Sequence, residues 1–140
     1  MADRYEAPLP KPTPDTQLYW KALRGHELHI QRCGDCNEAY FYPRSVCPHC
    51  LSGNVAWFRA SGRGRLHTFT IVYAAGPKPP LPTPYIIAVV ELEEGPRMLT
   101  NLVGVDPDPA KLSCDLPVEI EFADVTDECT LPHFRLAGGE

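Results

Sequence analysis

Cys33-Gly34-Asp35-Cys36, ten intervening residues, and then Cys47-Pro48-His49-Cys50 form the stretch on which the reading of this chain turns. Each C-x-x-C can be closed by one tight turn. Two such turns can aim four thiolates at a single tetrahedral zinc ion, with Zn–S distances of about 2.3 Å. Four sulfurs fill the coordination shell and leave no position for water or substrate. The spacing therefore predicts a structural zinc held by Cys33, Cys36, Cys47 and Cys50, with function residing elsewhere in the chain.

The residues flanking the knuckles read as a short sheet. Glu27 to Gln31 alternates Leu28 and Ile30 with polar residues and runs into the first knuckle, as a strand feeding a ribbon would. Ala39 to Tyr42 supplies a return strand that Pro43 ends, and Trp57-Phe58 a third strand after the turn at Ser52-Gly53-Asn54. His26, His29 and His49 lie near the cysteines in sequence. With four thiolates available, they read as surface or surrounding groups rather than ligands.

Upstream, residues 1–12 hold three prolines and several charges without hydrophobic period, which predicts an extended arm. Thr13-Pro14-Asp15 then reads as an N-cap, a proline at the first helical position and an acid placed well against the helix dipole. Gly25 is the expected stop. Leu18, Tyr19, Ala22 and Leu23 fall on one stripe, with Trp20 pointing to another side. Such a helix either covers its own core or offers residues such as Leu18 and Trp20 to a partner.

Downstream of Ser61 the texture becomes all-β. Strands are predicted at Arg65–Ala75, Tyr85–Leu92, Arg97–Val103 and Pro117–Ala123, with a short fifth at His133–Leu136. The fourth is the plainest, with Val118, Ile120 and Phe122 inward and Glu119 and Glu121 outward. Asp106-Pro107 is placed to cap a single helical turn between the third and fourth strands. The count and order suggest a five-stranded OB-fold barrel. The connection 76–84 carries five prolines in nine residues, stiff and extended, and Leu81 within it is a candidate partner contact. The chain is thus expected to be mainly β, divided into an arm and helix (1–25), a zinc ribbon (26–59) and a barrel (60–140).

A formal charge of −5 and a pI near 5.5 argue against a protein whose main partner is a nucleic-acid backbone. The cysteines divide into four in knuckles and two isolated ones, Cys114 and Cys129, a pattern of metal ligation in a reducing compartment. The charged N-terminus reads as neither signal peptide nor membrane span, so a cytoplasmic protein is expected. No P-loop, dinucleotide fingerprint, nucleophile elbow or H-E-x-x-H is present. Cys114, Cys129, His67 and His133 have no visible activating partner. Positive charge concentrates in Arg59-Ala60-Ser61-Gly62-Arg63-Gly64-Arg65. Arg59, Arg63 and Arg65, spaced around glycines that permit close approach, could meet a phosphate-bearing ligand. The plainer alternative is a solvated, flexible basic hinge.

The order of Trp20 in the N-terminal helix, the two knuckles, Phe41-Tyr42-Pro43-Arg44, Ser61-Gly62-Arg63-Gly64, Phe69-Thr70, Pro84-Tyr85 and Glu94-Gly95 resembles the zinc-ribbon/OB-fold proteins of acyl-CoA metabolism. The resemblance covers residues 15–136. It implies a rubredoxin-like ribbon and an OB barrel acting as a non-catalytic small subunit beside a thiolase-like or lipid-transfer-protein-like large subunit. The two would share an acyl-CoA site and assemble as a heterotetramer. Cys33, Cys36, Cys47 and Cys50 match that family's zinc ligands, and Arg63 and Arg65 match the segment entering the barrel. Two other readings stand beside this one. The first is a single-stranded nucleic-acid module with Phe69 and Tyr73 as stacking groups, and the second a self-contained enzyme acting on CoA esters.

Overall fold

The computed structural model describes residues 7–137, and within them the chain forms one α-helix, a three-stranded sheet and a closed five-stranded barrel. The helix α1 (Gln17–Arg24) begins later than the proline and acid predict. Thr13 to Thr16 instead makes a turn. Thr16 N–H and Gln17 N–H donate to the Thr13 carbonyl at 2.9 and 2.8 Å, and the Thr16 hydroxyl accepts from Thr13 N–H at 2.9 Å. Thr16 therefore stands at the N-cap with its hydroxyl already engaged.

The helix ends at Gly25, as expected, but the left-handed residue is His26, with φ 61°. The N–H groups of His26 and Glu27 return to the carbonyls of Leu23 and Ala22 at 2.9 and 3.0 Å, closing the last turn. A left-handed non-glycine residue costs about 1–2 kcal/mol. His26 is held there because its ring stacks on Phe122 (centroids 4.9 Å apart, 10° between planes) and its Nε2 lies 3.0 Å from Asp124 Oδ1. The end of the helix is thereby fixed to the barrel.

Thr16, Tyr19 and Leu23 are the buried residues of this segment, and Trp20 is partly buried against the same core rather than pointing away as the sequence reading has it, while Leu18 is 52% exposed. Both stripes have helical spacing. The one carrying two aromatic rings prevails because it removes more apolar area from water.

The ribbon consists of β1 (His29–Cys33), β2 (Ala39–Tyr40) and β3 (Val55–Arg59), antiparallel in the order β2-β1-β3. β2 is half its predicted length. Phe41 and Tyr42 leave the sheet and pack edge-on against Tyr19, each with centroids 5.6 Å away. The loop beyond is tied back by Gln31 Oε1, which accepts from Arg44 N–H at 2.7 Å, and by Tyr40 Oη, which donates to the Arg44 carbonyl at 2.9 Å.

The barrel strands are β4 (Arg63–Val72), β5 (Tyr85–Leu92), β6 (Arg97–Leu102), β7 (Pro117–Asp124) and β8 (Thr130–Leu136). Their order β4-β5-β6-β8-β7 closes through β4 and β7, and β6 runs parallel to β8, the arrangement of an OB fold. The turn between β6 and β7 is a 3₁₀ segment, Pro109–Lys111. Asp108 caps it by accepting from Ala110 N–H at 3.0 Å, one Asp-Pro pair further along than predicted.

The expected flexible hinge at 62–64 is instead tightly packed. Gly62 has φ +81°, and a Cβ there would lie 2.6 Å from Ile120 Cγ2; one on Gly64 would lie 2.3 Å from the Glu91 carbonyl oxygen. Ile120 N–H donates to the Gly62 carbonyl at 2.7 Å. These glycines serve close approach of strands, not freedom of the chain. The result is one continuous core. Tyr19 and Leu23 of the helix, Leu28 and Ile30 of the ribbon, and Leu66, Ile86 and Phe134 of the barrel belong to it.

Gly64→Ala is expected to lower stability by about 2 kcal/mol or more through the clash with backbone. Gly53→Ala, which meets no atom within 4 Å, serves as the near-neutral control, and urea midpoints measure both. The Thr130 hydroxyl, then His26, hold the Asp124 carboxyl below its usual range. Its stabilisation is therefore present above the unfolded value of about 3.9 and lost as pH falls through the folded value. Asp124→Ala should flatten the acid limb of midpoint against pH.

Candidate functional site

The two knuckles are built alike. In each, the residue after the second cysteine is left-handed, Asn37 at φ 65° and Leu51 at φ 67°, and its N–H returns to the first cysteine's carbonyl at 3.0 and 2.9 Å. The first cysteine's own N–H is taken by a carbonyl beyond the knuckle, Glu38 for Cys33 and Ser52 for Cys47, at 3.0 and 2.8 Å. Amides point at the sulfurs: Asp35 and Cys36 donate to Cys33 Sγ at 3.3 and 3.4 Å, and His49 to Cys47 Sγ at 3.3 Å. The Cys36 amide, helped by that of Asp35 and opposed by burial, holds the Cys33 thiol down to about 7. Burial and the neighbouring sulfurs push the Cys36 and Cys50 thiols the other way, as crowding of four such groups without a counter-ion must.

All four sulfurs lie within 4.8 Å of one another, with Cys33–Cys50 at 3.5 Å and Cys36–Cys47 at 3.6 Å. A tetrahedron with bonds of about 2.3 Å sets sulfurs about 3.8 Å apart, so donor type and spacing both fit zinc. Among the described residues these cysteines are the one such cluster of ligating side chains. His29 Nε2 is 2.9 Å from Glu27 Oε1 and His26 faces Asp124, so both rings are engaged away from the sulfurs. His49 is exposed on the second knuckle. With four thiolates the centre supplies structure, through the link between β1 and the 47–50 turn.

The three arginines do not stand free. Arg59 Nη1 lies 3.6 Å from Glu27 Oε2, Arg63 Nε 3.3 Å from Glu93 Oε2, and Arg65 Nη2 3.4 Å from Glu91 Oε1. The structure places Arg63 and Arg65 on the same outward side of β4 and Arg59 at the end of β3. Each cation faces a carboxylate that sequence reading did not anticipate. The pairs are exposed, and pairs of that kind contribute about 0–1 kcal/mol, so a ligand phosphate could exchange for them.

The structure also reveals a surface that sequence reading missed. Tyr19, Trp20, Phe41 and Tyr42 form a mutually edge-on aromatic cluster with centroids 4.9 to 5.6 Å apart. Together with Leu99 and Asn101 of β6 and Leu131 and His133 of β8 it lines an open groove of about 340 Å³. The groove is apolar and carries little charge. Burial pushes the Tyr19 phenol far above its usual range and holds the buried His133 imidazole below its own, favouring the neutral forms. Leu99 is 69% exposed, and the Trp20 indole Nε1 is buried without a hydrogen-bond acceptor. The run Tyr40-Phe41-Tyr42 was the available signal, since three aromatic residues exceed what a two-residue strand can bury.

Leu18 lies on the opposite side of α1, in a second groove of about 380 Å³ with Ala22, His29 and Trp57. Leu81 is partly buried in the proline-rich connection. Burial raises the Cys129 thiol, the reverse of activation, and Cys114 is exposed on a loop. Phe69 packs on the core while the 65% exposed Tyr73 lies beyond the end of β4, so the two do not make a stacking platform.

Residues 20–56 match the rubredoxin-like zinc ribbon domain of ChsH2, and residues 57–123 match the C-terminal OB-fold domain of ChsH2. The chain is similar to a probable enoyl-CoA hydratase alpha subunit of Thermomonospora curvata, with 36% identity over 130 residues. That alignment takes in 93% of this chain but 40% of the relative, so the chain spans less than half of that relative's length. It is also similar to the benzoylsuccinyl-CoA thiolase subunit BbsA of Thauera aromatica, 28% identical over 91% of this chain and 90% of that one. Among solved structures, a chain of the Ltp2-ChsH2(DUF35) aldolase superposes with a TM-score of 0.80 at 35% identity, covering 91% of this chain and 98% of that one.

The purified protein is expected to carry one zinc per chain by mass spectrometry of the metal. Cys33→Ser and Cys47→Ser should each retain less than about one-tenth of it and lose amide protection in the ribbon, since metal binding supplies much of the folding energy of such a unit.

Proposed function

This chain belongs to the ChsH2 family of zinc-ribbon and OB-fold (DUF35) proteins, and from that membership we propose that it is a non-catalytic subunit of a thiolase-superfamily enzyme acting on acyl-CoA thioesters. The observation that carries the reading is the near-complete match, at 35% identity, to a chain named as part of an aldolase. The full-length similarity to a chain named as a thiolase subunit supports it. The chemistry of the described residues agrees. The metal site has four thiolates and no open position, and Cys114 and Cys129 lack the surroundings of an activated nucleophile.

On this reading the large subunit supplies the reacting groups, and this chain shapes one side of the channel for the acyl-CoA. The groove around Trp20 receives the large subunit, with Leu18 and Leu81 as further contacts. Arg59, Arg63 and Arg65 exchange a carboxylate for a CoA phosphate in the assembled site. The assembly is a symmetric heterotetramer in the cytoplasm. Among the described residues no helix is long and apolar enough to cross a membrane.

Co-expression with a thiolase-like protein encoded beside it is expected to give a stable complex by light scattering after gel filtration, active only when both chains are present. Trp20→Ala should weaken assembly about tenfold or more, as loss of a buried aromatic anchor does, with zinc content unchanged. A chain that forms no complex with such a protein, or that turns over acyl-CoA alone, would overturn the reading.

A further inference from the structure

The second knuckle sits on a loop without strand pairing of its own, yet its sulfurs face those of the first at bonding distance for a shared metal. Three residues that are not ligands bridge the two knuckles. Asp35, inside the first knuckle, accepts through Oδ2 from Ser52 Oγ at 2.5 Å and through Oδ1 from Asn54 Nδ2 at 3.1 Å. Ser52 lies just past the second knuckle, and its carbonyl accepts from Cys47 N–H at 2.8 Å while its hydroxyl accepts from Asn54 N–H at 3.0 Å. Gly34 N–H donates to the Asn54 carbonyl at 2.7 Å. A Cβ on Gly34 would lie 2.6 Å from Asn54 Nδ2, so the Asn54 side chain lies directly over the first turn.

We propose that Asp35, Ser52 and Asn54 form a latch that holds the two knuckles in register and sets the rate at which zinc leaves. The proposal rests on the zinc reading of the four cysteines. Release of a four-thiolate metal requires the sulfurs to let go in turn, and the later steps need the knuckles to part. The latch opposes that separation through hydrogen bonds bridging 17 and 19 positions of sequence. Its action is geometric rather than coulombic, because a carboxylate beside an anionic four-thiolate zinc centre is repelled by it. The three residues are positioning residues, in the way that groups around metal ligands elsewhere orient them.

The test is transfer of zinc from the full-length protein to a chromophoric chelator, 4-(2-pyridylazo)resorcinol, followed by absorbance. Asp35→Ala and Ser52→Ala are each expected to release zinc about 10- to 100-fold faster, the range found for groups that orient ligands. The double variant should be no faster than the faster single one, because both break the same device. Asp35→Asn, which keeps an acceptor for Ser52 but not for the Asn54 amide, should release zinc at a rate between the natural one and that of Asp35→Ala. If Asp35→Ala fails to fold, Ser52→Ala and Asn54→Ala carry the same expectation. Release at the natural rate from the alanine variants overturns the latch and leaves the zinc reading intact. So does acceleration matched by an equal loss in the urea midpoint of the zinc-loaded protein, which would indicate general destabilisation. Absence of zinc from the natural protein overturns both.

Discussion

The convergence of four sulfur atoms on one point is the constraint from which the rest follows. A ribbon whose middle strand pairs with a two-residue strand on one side and five residues on the other has little surface to bury. Left to hydrophobic burial alone it would be marginal, as sheets of this size are. A zinc ion held by Cys33, Cys36, Cys47 and Cys50 would close the excursion between them and fix the sheet as a rigid plate. Everything that rests on the plate, the helix on one side and the barrel beyond, inherits its orientation from that closure.

The plate does not stand apart from the barrel. Leu28 and Ile30 enter the same core as Leu66 and Phe134, and Ala60 N–H donates to the Leu28 carbonyl at 2.8 Å just where the chain passes between the two units. With Gly62 and Gly64 pressed against Ile120 and Glu91, the junction allows no swivel. Two architectures that occur separately in other settings are here one mechanical body. A surface composed from both, such as the groove between Trp20, Tyr42 and Leu99, has fixed dimensions.

The parts legible in sequence are those where residue type alone carries the constraint. Thiolate coordination demands cysteine at given spacing, so the centre could be read directly. The count and order of five β-rich runs, the plainest of them alternating Val118, Ile120 and Phe122, were enough to suggest the barrel. What could not be read depends on neighbours distant in the chain. Phe41 and Tyr42 come to meet the helix at Tyr19, with Trp20 partly buried beside it, and an eight-residue helix fits two stripes equally well. Glycines 62 and 64 look permissive until the atoms of Ile120 and Glu91 occupy the space a side chain would need. Arg63 and Arg65 look like free cations until β5 and the turn after it set Glu91 and Glu93 beside them. The run Tyr40-Phe41-Tyr42 only hints at the groove, because four separate segments, α1, residues 41–42, β6 and β8, each contribute part of its wall.

The stacking of His26 on Phe122 has a kinetic consequence. It anchors the end of α1 to a barrel strand, so the helix that carries Trp20 cannot shift across the barrel without unstacking that pair. A molecule that docks against this face therefore meets walls already in place and orders little protein on arrival. Its encounter resembles rigid-body association, where little conformational entropy is lost and the lifetime of the complex, more than the speed of its formation, separates tight from weak binding.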